Sequence, residues 1–273
     1  MACTVGDVRA AMCRHYPEDW AAEWDAVGLV CGDPQASVSR ILLAVDPVAA
    51  VVDEALLARA DMIITHHPLF LHGVHAVSPE SPGGAVVHTL ISHGIALYCA
   101  HTNADHASPG VSDALASVLG VVDTKPLEVT GDASVGVGRV GRLEVPSTLG
   151  EFAIRVTSNL PRTVQGIRVA GDLERRVETV AVCGGAGDSL LDVVGDQADV
   201  YVTSDLRHHR AQDHVAAGGS ALIDVAHWAS EWPWLNQAAQ FLREDPSLAG
   251  VDIVVSDTVT DPWNAHVRSE DEG

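Results

Sequence analysis

Short apolar runs rich in β-branched residues alternate with amphipathic stretches of helical period along nearly the whole chain. That alternation restricts the chain to α/β layers, with strands buried in sheets and helices laid over their faces. The spacing predicts helices over residues 4–15, 47–60, 84–93, 109–119, 147–159, 187–196, 206–217 and 228–243. It predicts strands over 40–46, 62–65, 95–100, 138–145, 167–170, 178–183, 199–203, 221–224 and 251–256. Thr4, with Asp7 three residues on, caps the first helix and sets a carboxylate at the positive end of its dipole. Residues 121–134 read as loop, with Asp, Thr, Lys, Pro and Gly, and mark a boundary. The expected fold class is α/β, two α/β lobes with mixed sheets flanked by helices. The first lobe takes residues 1–125, completed by 245–273, and the second takes 126–244.

Apolar residues make up 47% of the 273 positions, which suits two modest cores and not a disordered chain. No apolar run approaches the length of a membrane span, and no basic segment with an apolar core opens the chain. Five cysteines with no C-x-x-C pair suit reduced, buried thiols, so a cytoplasmic protein is expected. The charge is lopsided, 37 acidic against 16 basic residues and a net of −21. Such a field makes nucleic acid an unlikely partner and favours cations, metals included. Lys125 is the one lysine, which leaves almost nothing for Schiff-base chemistry. No G-x-S-x-G elbow is present either.

Histidine is abundant, 14 in all, and it collects in polar segments at the ends of expected strands. Open α/β sheets bind ligands at such ends. The first segment is Thr65-His66-His67-Pro68. There the backbone can turn so that both imidazoles reach one cleft, each available to a different ion. The second, His101 to His106, offers Asp105 as a hard oxygen ligand or as a helix cap. The third runs from Thr203 to His209. In the fourth, His227 and Glu231 stand one helical turn apart on one face, either a pair of metal ligands or a surface ion pair. His66, His67, Asp105, His227 and Glu231 together suit two borderline divalent ions, zinc, manganese or iron, about 3.5–4 Å apart. His101, Asp46, Asp25 and His209 are the neighbouring candidates for orienting ligands or carrying protons. The segment Cys183-Gly184-Gly185-Ala186-Gly187-Asp188 either presents N–H groups to a phosphate or makes a tight turn. Of the tryptophans, Trp228, Trp232, Trp234 and Trp263 read as core or interface.

With those segments in hand, the chain resembles the Nif-three-like family, commonly named GTP cyclohydrolase 1 type 2 homologs. The resemblance rests on Glu23-Trp-Asp-Ala-Val-Gly-Leu29, Thr65-His-His-Pro-Leu69, His101-Thr-Asn-Ala-Asp105, Gly136-Val-Gly-Arg-Val-Gly141, Val182-Cys-Gly-Gly-Ala-Gly187, Ser204-Asp-Leu-Arg-His-His209 and His227-Trp-Ala-Ser-Glu231. These occur in order over nearly the whole chain, whose length resembles the short form without an inserted middle domain. Ala26 and Ala104 depart from the usual Asn and Leu of the pattern. The resemblance implies a dinuclear metal site in the cleft between two lobes, in a ring-shaped homohexamer. It implies His66, His67, Asp105, His227 and Glu231 as the ligands, with Glu231 the bridge. The function expected is a metal-dependent hydrolase, GTP cyclohydrolase type 2-like or a phosphoesterase, acting on a small nucleotide-like substrate. The alternative is a non-catalytic, ring-shaped metal-binding scaffold or regulatory interaction protein.

Overall fold

The computed structural model describes residues 2–132 and 134–267; the acidic end of the tail, 268–273, lies outside them. Among the described residues the elements run α1 (Val5–His15), β1 (Gly28–Cys31), β2 (Arg40–Ala44), α2 (Ala49–Ala58), β3 (Met62–Thr65), α3 (Pro82–Ser92), β4 (Ala96–Cys99), α4 (Thr102–His106) and α5 (Val111–Val118). They continue with β5 (Val121–Val129), β6 (Gly136–Thr148), α6 (Leu149–Asn159), β7 (Arg168–Ala170), β8 (Arg176–Ala186), α7 (Leu191–Val194), β9 (Val200–Ser204), α8 (His208–Ala216), β10 (Ala221–Val225), α9 (His227–Glu244) and β11 (Asp252–Val255). The chain forms two compact units. One comprises Met1–Ala114, Val129–Gly136 and Trp232–Thr260, the other Leu115–Glu128, Val137–Glu231 and Asp261–Gly273.

The first unit holds a five-stranded sheet in the order β1-β4-β3-β2-β11. β11, β2, β3 and β4 are parallel, and β1 closes the edge antiparallel to β4. Every residue of β3, Met-Ile-Ile-Thr, is buried, as expected of a parallel strand covered on both faces. The second unit holds a six-stranded sheet in the order β5-β6-β8-β9-β10-β7. There β8, β9 and β10 are parallel, while β6 and β7 run antiparallel to β8 and β10. Its side chains alternate between two cores, Val180, Val182, Val200, Val202 and Ile223 in one, Ala181, Cys183, Tyr201 and Leu222 in the other. Both sheets are mixed and flanked by helices, the expected fold class.

The Thr4 cap forms as predicted: Thr4 Oγ1 accepts from Asp7 N–H at 3.2 Å, and the Asp7 carboxylate accepts from Thr4 N–H at 2.9 Å. Residues 121–129, expected as loop, form strand β5 instead. Val121 and Leu127 are buried while Asp123 and Lys125 face out, and Pro126 is tolerated because β5 is an edge strand. The helix expected over 187–196 shrinks to a single turn of 3-10 helix and the four residues of α7, where Gly195 at φ +45° ends it.

The two sheets start their parallel strands with one device. Asp61, just before β3, accepts through Oδ2 from the N–H groups of Ser39 and Arg40 at 2.7 and 3.0 Å. Asp199, just before β9, accepts through Oδ2 from the N–H groups of Glu178 and Thr179 at 2.9 and 2.8 Å. Each short carboxylate satisfies donors that the ladder leaves open at its entry.

Candidate metal centre

In the first unit, the β3 backbone keeps its pairing beyond Thr65. His66 N–H donates to Ala44 O at 3.2 Å and His67 N–H to Val45 O at 2.9 Å. The Thr65 hydroxyl donates to His67 O at 2.9 Å, and the Cys99 thiol donates to His66 O at 3.2 Å. These bonds hold the turn that brings both rings to one side, their centroids 5.1 Å apart. His101, directly after β4, adds a third ring 5.1 Å from that of His66 and 5.6 Å from that of His67. One ring nitrogen from each of the three lies within 4.8 Å of the others, a cluster that can hold a metal ion.

The orientation of each ring is set from its far side. His66 Nδ1 donates to Ala100 O at 3.0 Å, which a carbonyl partner requires. His67 Nδ1 pairs with Asp46 Oδ1 at 2.7 Å and His101 Nδ1 with Asp25 Oδ1 at 2.9 Å. An oxygen acceptor at Nδ1 puts the proton there and the lone pair at Nε2, the state a metal ligand needs. Burial acts to raise the Asp25 pKa. The His101 ring, the Thr102 hydroxyl and the Thr102 N–H outweigh it and hold the carboxyl well below its usual range. Asp105 sits in α4, four residues after His101, with Oδ1 3.7 Å from His66 Nε2.

In the second unit, His227 opens α9 and Glu231 lies one turn on. His227 Nε2 is 3.0 Å from Glu231 Oε1, and His227 Nδ1 pairs with Asp205 Oδ2 at 2.6 Å. Glu231 is only 3% exposed, so its charge calls for a cation nearby. Gly185, at φ +69°, passes so close that an added Cβ would stand 2.4 Å from Glu231 Oε1 and 3.1 Å from His227 Nε2. Only glycine fits that cradle. Ser230 ties it together, accepting from Gly185 N–H at 2.8 Å and donating to His227 O at 2.7 Å. Imidazole and carboxylate donors of this kind fit a borderline divalent ion.

The glycines of 183–188 therefore serve close approach. Gly185 N–H is taken by Ser230, and the space beside Gly187 is filled by the Thr203 and Tyr201 hydroxyls, 2.2 Å from where its Cβ would stand. Arg207 and Arg210 pair with Asp188 and Asp192. His209 lies in the first turn of α8, its ring edge-on to His208 at 5.1 Å. Sequence reasoning assigned no role to Asp205 or Ser230, and it read Gly185 only as part of a phosphate-contacting segment or tight turn. Asp205 stands just past β9, inside the strand-end segment 203–209, and the chain turns there through φ +57°.

These features define a class: α/β proteins with two mixed sheets whose strand ends carry histidine and carboxylate clusters able to hold metal ions. The model of the family Duf34/NIF3 (NGG1p interacting factor 3) matches residues 3–262, and the chain belongs to that family. It is 49% identical over 271 residues to a Streptomyces coelicolor protein named GTP cyclohydrolase 1 type 2 homolog, covering 97% of this chain and 95% of that one. The solved structure of a Bacillus cereus protein related to NIF3 superposes with TM-score 0.89 at 25% identity, covering 97% of this chain and 99% of the other. A Staphylococcus aureus hypothetical protein superposes with TM-score 0.87 at 26% identity, covering 97% and 100%. Among the described residues no helix is long and apolar enough to cross a membrane.

Proposed function

We propose that His66, His67, Asp105, His227 and Glu231 hold two divalent ions, with Glu231 shared between them, and that the chain is a metal-dependent hydrolase of a small nucleotide-like substrate. One observation carries the metal reading. The rings of His66, His67 and His227 each have Nδ1 on an oxygen acceptor, which reserves Nε2 for a ligand bond. Zinc, manganese and iron all suit this mixture of imidazole and carboxylate. Such ions polarise a substrate oxygen and lower the pKa of coordinated water to near neutrality.

The chain's own residues do the rest. Asp46 and Asp205 orient His67 and His227, and the Ala100 carbonyl orients His66. His101, with Nδ1 on Asp25, keeps Nε2 able to take a proton from the attacking nucleophile and return it to a leaving group. The names of the curated relatives point to a cyclohydrolase, and the same donors serve a phosphoesterase. The net charge of −21 disfavours a free polyphosphate and makes the cations the attractive element.

The test is metal loading followed by turnover across GTP and a panel of phosphoesters. The hydrolase reading expects about two ions per chain and metal-dependent turnover that Glu231→Gln abolishes. Turnover absent from every substrate in fully loaded protein would favour a non-catalytic scaffold. Clearly less than one ion per chain after loading would remove the metal reading.

A further inference from the structure

The segment that follows β11 bears on the first-unit donors, although it supplies none of them. Its sequence, Ser256-Asp257-Thr258-Val259-Thr260, sets a hydroxyl at every second position. Burial follows the same period, the pattern of an extended chain: Ser256, Thr258 and Thr260 turn inward while Asp257 and Val259 are exposed. Bonds from three other elements of the same unit fix the segment. Ser256 N–H donates to Leu43 O at 2.8 Å, which continues the parallel pairing of β11 with β2. Trp232 Nε1, in α9, donates to Ser256 O at 2.9 Å. Glu54 Oε2, on α2, accepts from the Ser256 and Thr258 hydroxyls at 2.6 and 2.7 Å, and Thr258 N–H donates to Ser256 Oγ at 3.1 Å. The third hydroxyl goes elsewhere. Thr260 Oγ1 donates to Asp46 Oδ2, and the other oxygen of that carboxylate holds His67 Nδ1 at 2.7 Å.

The terminal torsion of an aspartate is broad, so one bond to His67 leaves the Asp46 carboxylate able to turn about it. A second bond, to Oδ2 from a fixed donor, removes that freedom. The plane of the carboxylate is then set, and with it the direction of the imidazole that leans on Oδ1. We propose that Thr260 is a positioning residue for the metal centre: its hydroxyl locks Asp46, and through Asp46 it aims His67 Nε2. Ser256 and Thr258 bring Thr260 to that place by tying the segment to Glu54. The inference deepens the metal reading and rests on it, because His67 is one of the five ligands proposed above.

The experiment measures zinc affinity of the full chain by competition with a chelator, beside a crystal structure of the metal-free Thr260→Val variant. Thr260→Val removes the donor and is expected to weaken zinc binding by about ten-fold, while Thr260→Ser restores it. Added to Asp46→Ala, Thr260→Val is expected to cause no further loss, since a residue that acts through Asp46 has nothing left to act on. The crystal structure is expected to show the Asp46 carboxylate turned off His67 Nδ1. The inference is overturned if Thr260→Val binds zinc as tightly as wild type, if Thr260→Ser does no better than Thr260→Val, or if the losses from Asp46→Ala and Thr260→Val add. It is overturned equally if Asp46 and His67 keep their places without the hydroxyl. Should wild-type protein hold no zinc while Asp46 turns in Thr260→Val, the hold on His67 stands and the metal reading falls.

Discussion

The strand trios β2-β3-β4 and β8-β9-β10 follow one plan and diverge at one point. Asp61 and Asp199 pin their entries in the same way, and their backbone N–H groups bond Arg40 O and Thr179 O, both at 2.9 Å. After the last strand of each trio comes a histidine with a carboxylate four residues on, His101 with Asp105 and His227 with Glu231. Both histidines rest Nδ1 on an aspartate, Asp25 in one unit and Asp205 in the other. The divergence is at the end of the middle strand, where the first unit has His66-His67 and the second Ser204-Asp205. So one unit spends that position on donors. The other spends it on supports: Ser204 lies 3.1 Å from the Ser230 hydroxyl, and Asp205 anchors His227. One backbone plan can thus be rich in imidazole or rich in second-layer hydrogen bonds according to two residues.

The comparison breaks most sharply at Gly185. Gly185→Ala forces a side chain onto Glu231 at a left-handed backbone position, costing about 1–2 kcal/mol in backbone strain before the clash is counted. Urea unfolding should show the destabilisation, and elemental analysis a loss of bound metal. A variant that keeps full stability and metal would show that the Glu231 cradle is not needed.

Next in size are Asp46→Asn and Asp205→Asn, which loosen His67 and His227. Competition with a chelator should show metal affinity falling by about 10–100-fold in each. Unchanged affinity in both would mean that the Nδ1 anchors are incidental. A third contrast sets His101→Ala against His227→Ala. If the shared plan ends at the donors, loss of His227 lowers the metal count while loss of His101 leaves it near two ions per chain and lowers turnover instead.

The smallest effect is in acid. Burial acts to raise the Asp61 pKa, but bonds from the Ser39 hydroxyl and the N–H groups of Ser39 and Arg40 win and lower it. The folded value therefore lies below the unfolded one. The resulting stability is present above about pH 4 and is lost as pH falls through the folded value. Asp61→Asn should flatten that part of the stability curve, read by urea unfolding at neutral pH and near pH 3. An unchanged slope would contradict it.

Much of this was readable before the structure, for a physical reason. Strands such as β3 are continuous β-branched runs because they are covered on both faces, and helix α1 announces itself through Thr4 and Asp7. The imidazoles stood out because two adjacent histidines close a buried strand. β5 did not stand out, since an edge strand tolerates the Asp, Lys and Pro that mark a loop. Nor did β1, four residues made a strand by antiparallel pairing with β4. Asp205 and Gly185 matter through approaches between residues about twenty to forty-six positions apart in the chain, His227 and Glu231 being their partners, and local pattern carries no trace of those.

The most direct test is a crystal structure of the metal-loaded protein with anomalous data collected at the zinc, manganese and iron edges. The account predicts two anomalous peaks per chain, held by His66, His67, Asp105, His227 and Glu231 with Glu231 touching both. A single peak, or ions bound away from these five side chains, would contradict it.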